Sequence, residues 1–236
     1  MASKKTFVVN GKTLDHLHLD DLPKRIIRKG SDTEMYRDDV LRTLLTLQYT
    51  YGKLLNCAQI CYLNIDSITN TKPYMASARE VYDSVQEFVY HYENYGMRIF
   101  ILREKISLFI NAVLPVDWPV NDVNIKTMLN HSTVKKAKLD TMMRKFDPQS
   151  ENALGDLVKN RNQLTHKLYY AKTDHYLRPI TSIDNEDADM TDWYKQWKKK
   201  IKEKEDVISN AANELMELNH ELSEKVFVFR EAQSAA

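Results

Sequence analysis

The stretch LRTLLTLQYTYGKLLNCAQICYL, running from Leu41 to Leu63, decides the fold class. Leu41, Leu44, Tyr51, Leu54, Leu55, Ala58 and Cys61 recur at spacings of three and four. That period matches one face of an α-helix, not the alternation of a strand. It predicts a long helix from about Met35 to Leu63 and a connection over residues 64–73. Beyond it, Ala78, Val81, Val85, Val89, Tyr92, Gly96, Ile99, Ile106 and Ile110 share one face, predicting a second long helix over residues 77–114. Gly96 marks a weak point or a close helix contact, because glycine costs about 1 kcal/mol against alanine inside a helix. Arg103 falls on the same apolar face and therefore needs a partner.

Composition agrees with these helices. The 236 residues include only five glycines and six prolines, while Leu, Lys, Glu, Met and Tyr are plentiful. A net charge of +1 gives no global attraction to nucleic acid or acidic lipid, so any such binding must come from local patches. No apolar leader follows Met1, and no window approaches eighteen uninterrupted apolar residues, so neither secretion nor membrane spanning is expected. Cys57 and Cys61, the only cysteines, sit four apart on an apolar helix without a second pair at zinc spacing. Buried free thiols in a reducing cytoplasm are expected, and no metal is assigned, including at His16 and His18.

Around the two long helices the chain is punctuated. Phe7–Leu14 carries Asn10-Gly11 between apolar residues, the signature of a short β-hairpin. Pro115 and Pro119 end the second helix, and two shorter helices are expected near residues 123–130 and 134–145. Asp147-Pro148 punctuates the chain before another helical pattern, and Asp184, Glu186, Asp187 and Asp189 form a solvated acidic loop. From Asp192 a last helix carries Trp193, Trp197, Ile201, Ile208, Ala211, Leu215, Leu218, Leu222 and Phe229, largely in a 4-3-4 repeat suited to packing on another helix or subunit. Lys204 and Lys225 interrupt the repeat, against a long free coiled coil. The expected architecture is an all-α bundle with two long antiparallel helices, a third helix before residue 172, a long C-terminal helix and a short N-terminal β-hairpin. Its expected division is an extension over residues 1–34, a bundle over 35–172, and an acidic loop with the C-terminal helix over 173–236.

One segment carries chemistry: Arg161-Asn162-Gln163-Leu164-Thr165-His166. With eleven arginines and seven histidines, R-x4-H arises by accident in roughly one such chain in three. Requiring asparagine directly after the arginine lowers that to about two per cent. On a helix, Leu154, Leu157, Val158, Leu164, Thr165 and Leu168 form one face with Arg161 at its centre, where a guanidinium is costly unless a carboxylate, a partner chain or an anionic ligand satisfies it. Asn162 and His166 are neighbours on an adjacent face. A permanent cation beside a group that titrates near neutrality suits phosphodiester cleavage without a metal. The same residues also fit a structural Arg–carboxylate pair with a surface histidine nearby.

A helical bundle with two long helices and a late helix bearing R-N-x-x-x-H resembles the HEPN superfamily, whose name refers to nucleotide-binding domains of higher eukaryotes and prokaryotes. The resemblance rests on Arg161, Asn162 and His166 and spans about residues 35–170. It implies a metal-independent endoribonuclease of toxin, abortive-infection or CRISPR-associated type, without cofactor. A homodimer would bring two motifs into one composite cleft, and a partner protein would neutralise the activity. RNA would be cleaved by attack of its 2′-hydroxyl, leaving a 2′,3′-cyclic phosphate. His166 would serve as general acid or base, Arg161 would offset charge on the phosphoryl oxygens, and Asn162 would orient the imidazole or the phosphate. One toxin subgroup has a tyrosine two residues after the histidine as an AMP acceptor. Leu168 holds that position here, with Tyr169 one residue later.

Glu93 and Glu104, on the flank of the second helix, are candidates to hold Arg161. For RNA, Trp193, Lys195, Trp197, Lys198 and Lys199 interleave stacking rings with cations, as a single-strand-binding surface does. The same pattern arises when tryptophans pack inward and lysines form a solvated face. Lys135, Lys136, Lys138, Arg144 and Lys145 form a second basic group with the same two readings. The competing functional expectation is a non-catalytic HEPN-like module that binds a nucleotide or a protein.

Overall fold

The computed structural model describes residues 7–9, 12–14, 26–27, 32–70, 78–114, 116, 118–166 and 191–234, with the side chains of 7–9, 12–14, 78, 81–82, 160–166, 191–194 and 234 outside that description. Strands β1 (Phe7–Val9) and β2 (Lys12–Leu14) pair antiparallel with Phe7 opposite Leu14, forming the expected hairpin. The other described elements are helices. Helices α1 (Glu34–Asn70) and α2 (Ala78–Val113) are the two long ones. The short helices α3 (Ile125–Asn130), α4 (Ser132–Lys136) and α5 (Leu139–Met143) follow. Then come α6 (Ala153–His166) and α7 (Thr191–Ser234). The acidic loop around Asp184 and the His16/His18 pair lie outside the described residues.

Helices α1 and α2 run antiparallel. Tyr36 Oη, at the start of α1, donates to the Val113 carbonyl at the end of α2 (3.2 Å), while Arg98 Nε meets Cys57 Sγ at 3.0 Å midway. Helix α1 extends past the connection expected over residues 64–73. Ile65 and Ile68 prolong the buried stripe of Leu54, Ala58 and Cys61 by two turns, and the helix stops only at Asn70. Leu41, expected on the core face, is instead exposed; Val40, Leu44 and Leu47 define that face. Cys57 and Cys61 are buried free thiols, and burial pushes the Cys61 thiol up to about 12, with Cys57 adding to the rise.

The helix expected over residues 134–145 is broken at Lys138, which adopts a left-handed conformation with φ 56°. The cause is packing. On one straight helix Val134 and Ala137 would face away from Leu139, Met142, Met143 and Phe146, yet all six are buried. The left-handed step reorients the chain between α4 and α5 so that both groups reach the core. Asn124 begins α3 with a reciprocal cap, its side chain accepting from Thr127 N (3.1 Å) and its own N–H donating to Thr127 Oγ1 (3.1 Å).

Helix α7 completes the bundle. Trp197, Ile201, Ile208, Ala211, Leu215, Leu218, Leu222 and Val226 are buried along one stripe. Lys198 Nζ donates to the Thr69 carbonyl near one end, and Arg230 pairs with Asp32 (2.6 Å) near the other, so α7 runs antiparallel to α1. The two lysines that interrupt the 4-3-4 repeat have local partners. Lys204 Nζ lies 5.3 Å from the Tyr92 ring centroid, and Lys225 bonds the Lys138 carbonyl and Glu221. No described helix is long and apolar enough to cross a membrane.

Candidate functional site

Helix α6 carries the R-N-x-x-x-H segment, and its N-terminus is held from two sides. Asn152 Oδ1 accepts from Gly155 N (2.6 Å), the role of a helix-capping side chain. The Glu214 carboxylate of α7 accepts from Ala153 N (2.9 Å) and Leu154 N (3.0 Å), satisfying two more of the first-turn amides and placing an anion at the positive end of the helix. Asp147, expected to punctuate this start, forms a separate turn through Gln149 N instead. Gly155 is required by space: a Cβ there would lie 2.6 Å from the Asp147 carbonyl oxygen and 2.7 Å from that of Ser150.

The apolar face of α6 packs as its spacing predicts, with Leu154, Leu157 and Val158 buried. Leu157 lies against Gly96 of α2, where a Cβ would meet the Leu157 carbonyl oxygen at 3.7 Å, so Gly96 marks a close helix contact. The start of α6 sits beside Glu214, and Leu215 next to it shares a cavity wall with Leu102 and Ile106. Helix α6 therefore descends α2 from the level of Leu102 toward Gly96. Arg161 lies four residues beyond Leu157, about 6 Å further along the axis. Its backbone position is thus level with Tyr92 and Glu93.

The backbones of Arg161, Asn162 and His166 belong to α6, and their side chains lie outside the described residues. Glu93 is half-buried on α2. Glu104 sits on the opposite side of Gly96 and accepts from Arg103, with Nη2–Oε1 at 2.7 Å and Nε–Oε1 at 3.1 Å. Arg103 is the buried charge expected on α2, and it also stacks 4.2 Å from the Phe100 ring centroid. Burial drives the Tyr92 hydroxyl well above its ordinary range, with Cys61 and Asp156 adding to the rise. A tyrosine hydroxyl is protonated near neutral pH even at its ordinary value, and burial here acts in the same direction.

The lysine-rich start of α7 divides differently from the expected stacking surface. Trp197 is buried at 6 % exposure, so its ring is a core residue and not an open platform for a base. Lys198 is tied to the Thr69 carbonyl, while Lys195 and Lys199 are exposed, and the Trp193 side chain lies outside the described residues. In the second basic group, Lys145 faces Glu221 (3.5 Å) and Glu217 (3.9 Å), whereas Lys135, Lys136, Lys138 and Arg144 are exposed.

Glu214 and Asn152 are the positioning residues that spacing did not reveal. Asn152 is legible in retrospect as a capping residue before an apolar run, but Glu214 lies about sixty residues away in sequence and only tertiary packing brings it to α6.

Neither a curated protein nor a solved structure matches the chain. A family profile does. The HEPN_Cthe2314-like HEPN profile matches residues 44–223, from the third turn of α1 well into α7, and so covers most of α1, all of α2, the motif helix and most of the C-terminal helix. With three quarters of its length matched, the chain belongs to the HEPN_Cthe2314-like HEPN family.

Proposed function

We propose that this HEPN protein is a cytoplasmic, metal-independent endoribonuclease of a defence or toxin system, working as a homodimer and held in check by a neutralising partner. The observation that carries this reading is the placement of Arg161, Asn162 and His166 on α6, a helix anchored at its start by Glu214 and set against Gly96. Such anchoring holds a catalytic helix in one register, and proton transfer and charge stabilisation both depend on that precision. The RNA 2′-hydroxyl loses its proton to a base and attacks the adjacent phosphorus. The 5′-oxygen leaves with a proton from an acid, giving a 2′,3′-cyclic phosphate and a free 5′-hydroxyl. His166 supplies proton transfer, a role worth about 10²–10⁴ in rate. Arg161 pairs with the phosphoryl oxygens and Asn162 orients the imidazole or phosphate. The register of α6 on α2 supports Glu93, not Glu104, as the carboxylate steadying Arg161, since Arg103 already holds Glu104.

The buried Trp197 and the tethered Lys198 leave less surface for RNA at the start of α7, which favours the second reading, a non-catalytic module. Incubating purified protein with mixed RNA in EDTA separates the two. The enzyme cleaves in EDTA to cyclic-phosphate ends and loses this activity in His166→Ala. An activity that vanishes in EDTA and returns with magnesium overturns the mechanism, and wild-type protein that cleaves no RNA leaves the module.

A further inference from the structure

We infer a binding site for a small amphipathic organic anion at the end of the bundle where α1 begins and α2 and α7 finish. A cavity of about 950 Å³ opens there, within the size range of small-molecule pockets. It lies up α2 from the Gly96 contact, whereas α6 descends the other way, so it is separate from the motif.

Its walls divide by chemistry. At one end are apolar surfaces: Leu108, Trp118, and the rim residues Met35 and Val120, which are 76 % and 61 % exposed. The backbone of Trp118 is fixed in place by a pair of hydrogen bonds. Asn111 Nδ2 donates to its carbonyl (3.1 Å), its N–H donates to Asn111 Oδ1 (3.3 Å), and His131 meets its ring edge-on. An indole at a cavity wall is a ready surface for a flat apolar body.

The remaining wall carries three cations, Arg42, Lys105 and Arg230, and the Asp39 carboxylate, and among the described residues the cations are unequally compensated. Arg42 pairs with Asp39 (2.8 Å), and Arg230 pairs with Asp32 while lying over the Tyr36 ring. Lys105 also lines the cavity from α2, half-buried, and makes no ion pair or hydrogen bond among the described residues. An ammonium that lines a cavity with apolar walls attracts an anion more strongly than a lysine in open water, because the local dielectric is lower. A cation without an ion pair among the described residues, in a cavity that Trp118 also lines, selects a ligand with one anionic head and a flat apolar body, such as an aryl carboxylate, sulfonate or phosphate.

Anilinonaphthalene sulfonate serves as the anionic probe and N-phenylnaphthylamine as its uncharged counterpart, both followed by fluorescence with the full-length protein. The expected result is one saturable sulfonate site per chain. Lys105→Glu weakens it at least tenfold, Lys105→Arg retains it, Trp118→Ala weakens it, and the uncharged probe binds less tightly. Circular dichroism confirms native helix content in each variant, and Lys105→Met replaces Lys105→Glu if the latter does not fold. No saturable site, equal affinity for the two probes, or sulfonate binding unchanged in folded Lys105→Glu or Lys105→Met overturns the inference.

Discussion

Glu214 and Leu154 are sixty residues apart, yet the Glu214 carboxylate receives the Leu154 amide at 3.0 Å and the Ala153 amide at 2.9 Å. Two helices separated by the whole segment 167–190 are thereby locked at the point where the motif helix begins. Substituting Glu214 by Ala removes the anion and leaves two first-turn amides without it. Stability is expected to fall by about 1–2 kcal/mol, as for loss of a helix cap. Urea denaturation checks the stability, and hydrogen exchange at Ala153 and Leu154 should rise first. Under the proposed function, RNA cleavage falls further than stability does.

The glycines separate by the space around them. Gly155→Ala pushes a Cβ within 2.6 Å of a backbone oxygen and is expected to lower Tm by several degrees or prevent folding. Gly52→Ala meets nothing within 4 Å and is expected to raise stability by about 1 kcal/mol through helix propensity alone. Thermal denaturation of the two variants beside wild type tests both signs.

Lys138 holds a left-handed conformation that a side chain with a Cβ adopts at a cost of roughly 1–2 kcal/mol. Lys138→Gly removes that cost while keeping the carbonyl that Lys225 uses. Chemical denaturation is expected to show a gain of up to about 1 kcal/mol, reduced by glycine's larger loss of freedom on folding. A loss of stability would show that the Lys138 side chain outweighs the backbone strain.

Glu221 gives the protein an acid-sensitive contact. Burial alone would raise its carboxyl, but the hydrogen bond and charge of Lys225, together with Lys145, hold it below the ordinary 4.5. A depressed folded value means that stability from this group is present above about pH 4.5 and is lost as the pH falls through the folded value. Glu221→Gln is therefore expected to flatten the acid limb of the stability–pH curve and leave its shape near pH 7 unchanged. An identical acid limb in the variant rules this contact out as the source.

The motif residues should differ in what they cost. Under the proposed function, His166→Ala abolishes cleavage and shifts stability within about 0.5 kcal/mol, as surface substitutions usually do. Arg161→Ala also abolishes cleavage but destabilises by about 1–3 kcal/mol, because the position continues the stripe of Leu154, Leu157 and Val158 and the half-buried Glu93 carboxylate would lose that partner. Calorimetry on both variants reads the difference. Equal, small effects would show that Arg161 does not face the core.

The sequence by itself determined the helices. Apolar residues at three and four make one face of α1, α2 and α7 sticky, and a helix can hide that face only against another helix, so the all-α bundle follows from periodicity. The same logic found the buried cysteines, the Gly96 contact, the need of Arg103 for a partner and the motif on α6. Periodicity is blind to what lies across the interface. It could not show that α1 runs on through Ile65 and Ile68, because Asn64 looks like a boundary until its neighbours have a core to enter. Nor could it show that Trp197 is buried, since alternating tryptophan and lysine reads alike for a stacking surface and for a packed face with solvated lysines. Tertiary structure alone brought Glu214 to the start of α6, gave Glu104 to Arg103, and set Lys105, without an ion pair among the described residues, in the cavity that Trp118 also lines. Each of these joins groups remote in sequence or chooses among rival partners, and a local repeat carries no information about which face of which helix will be opposite.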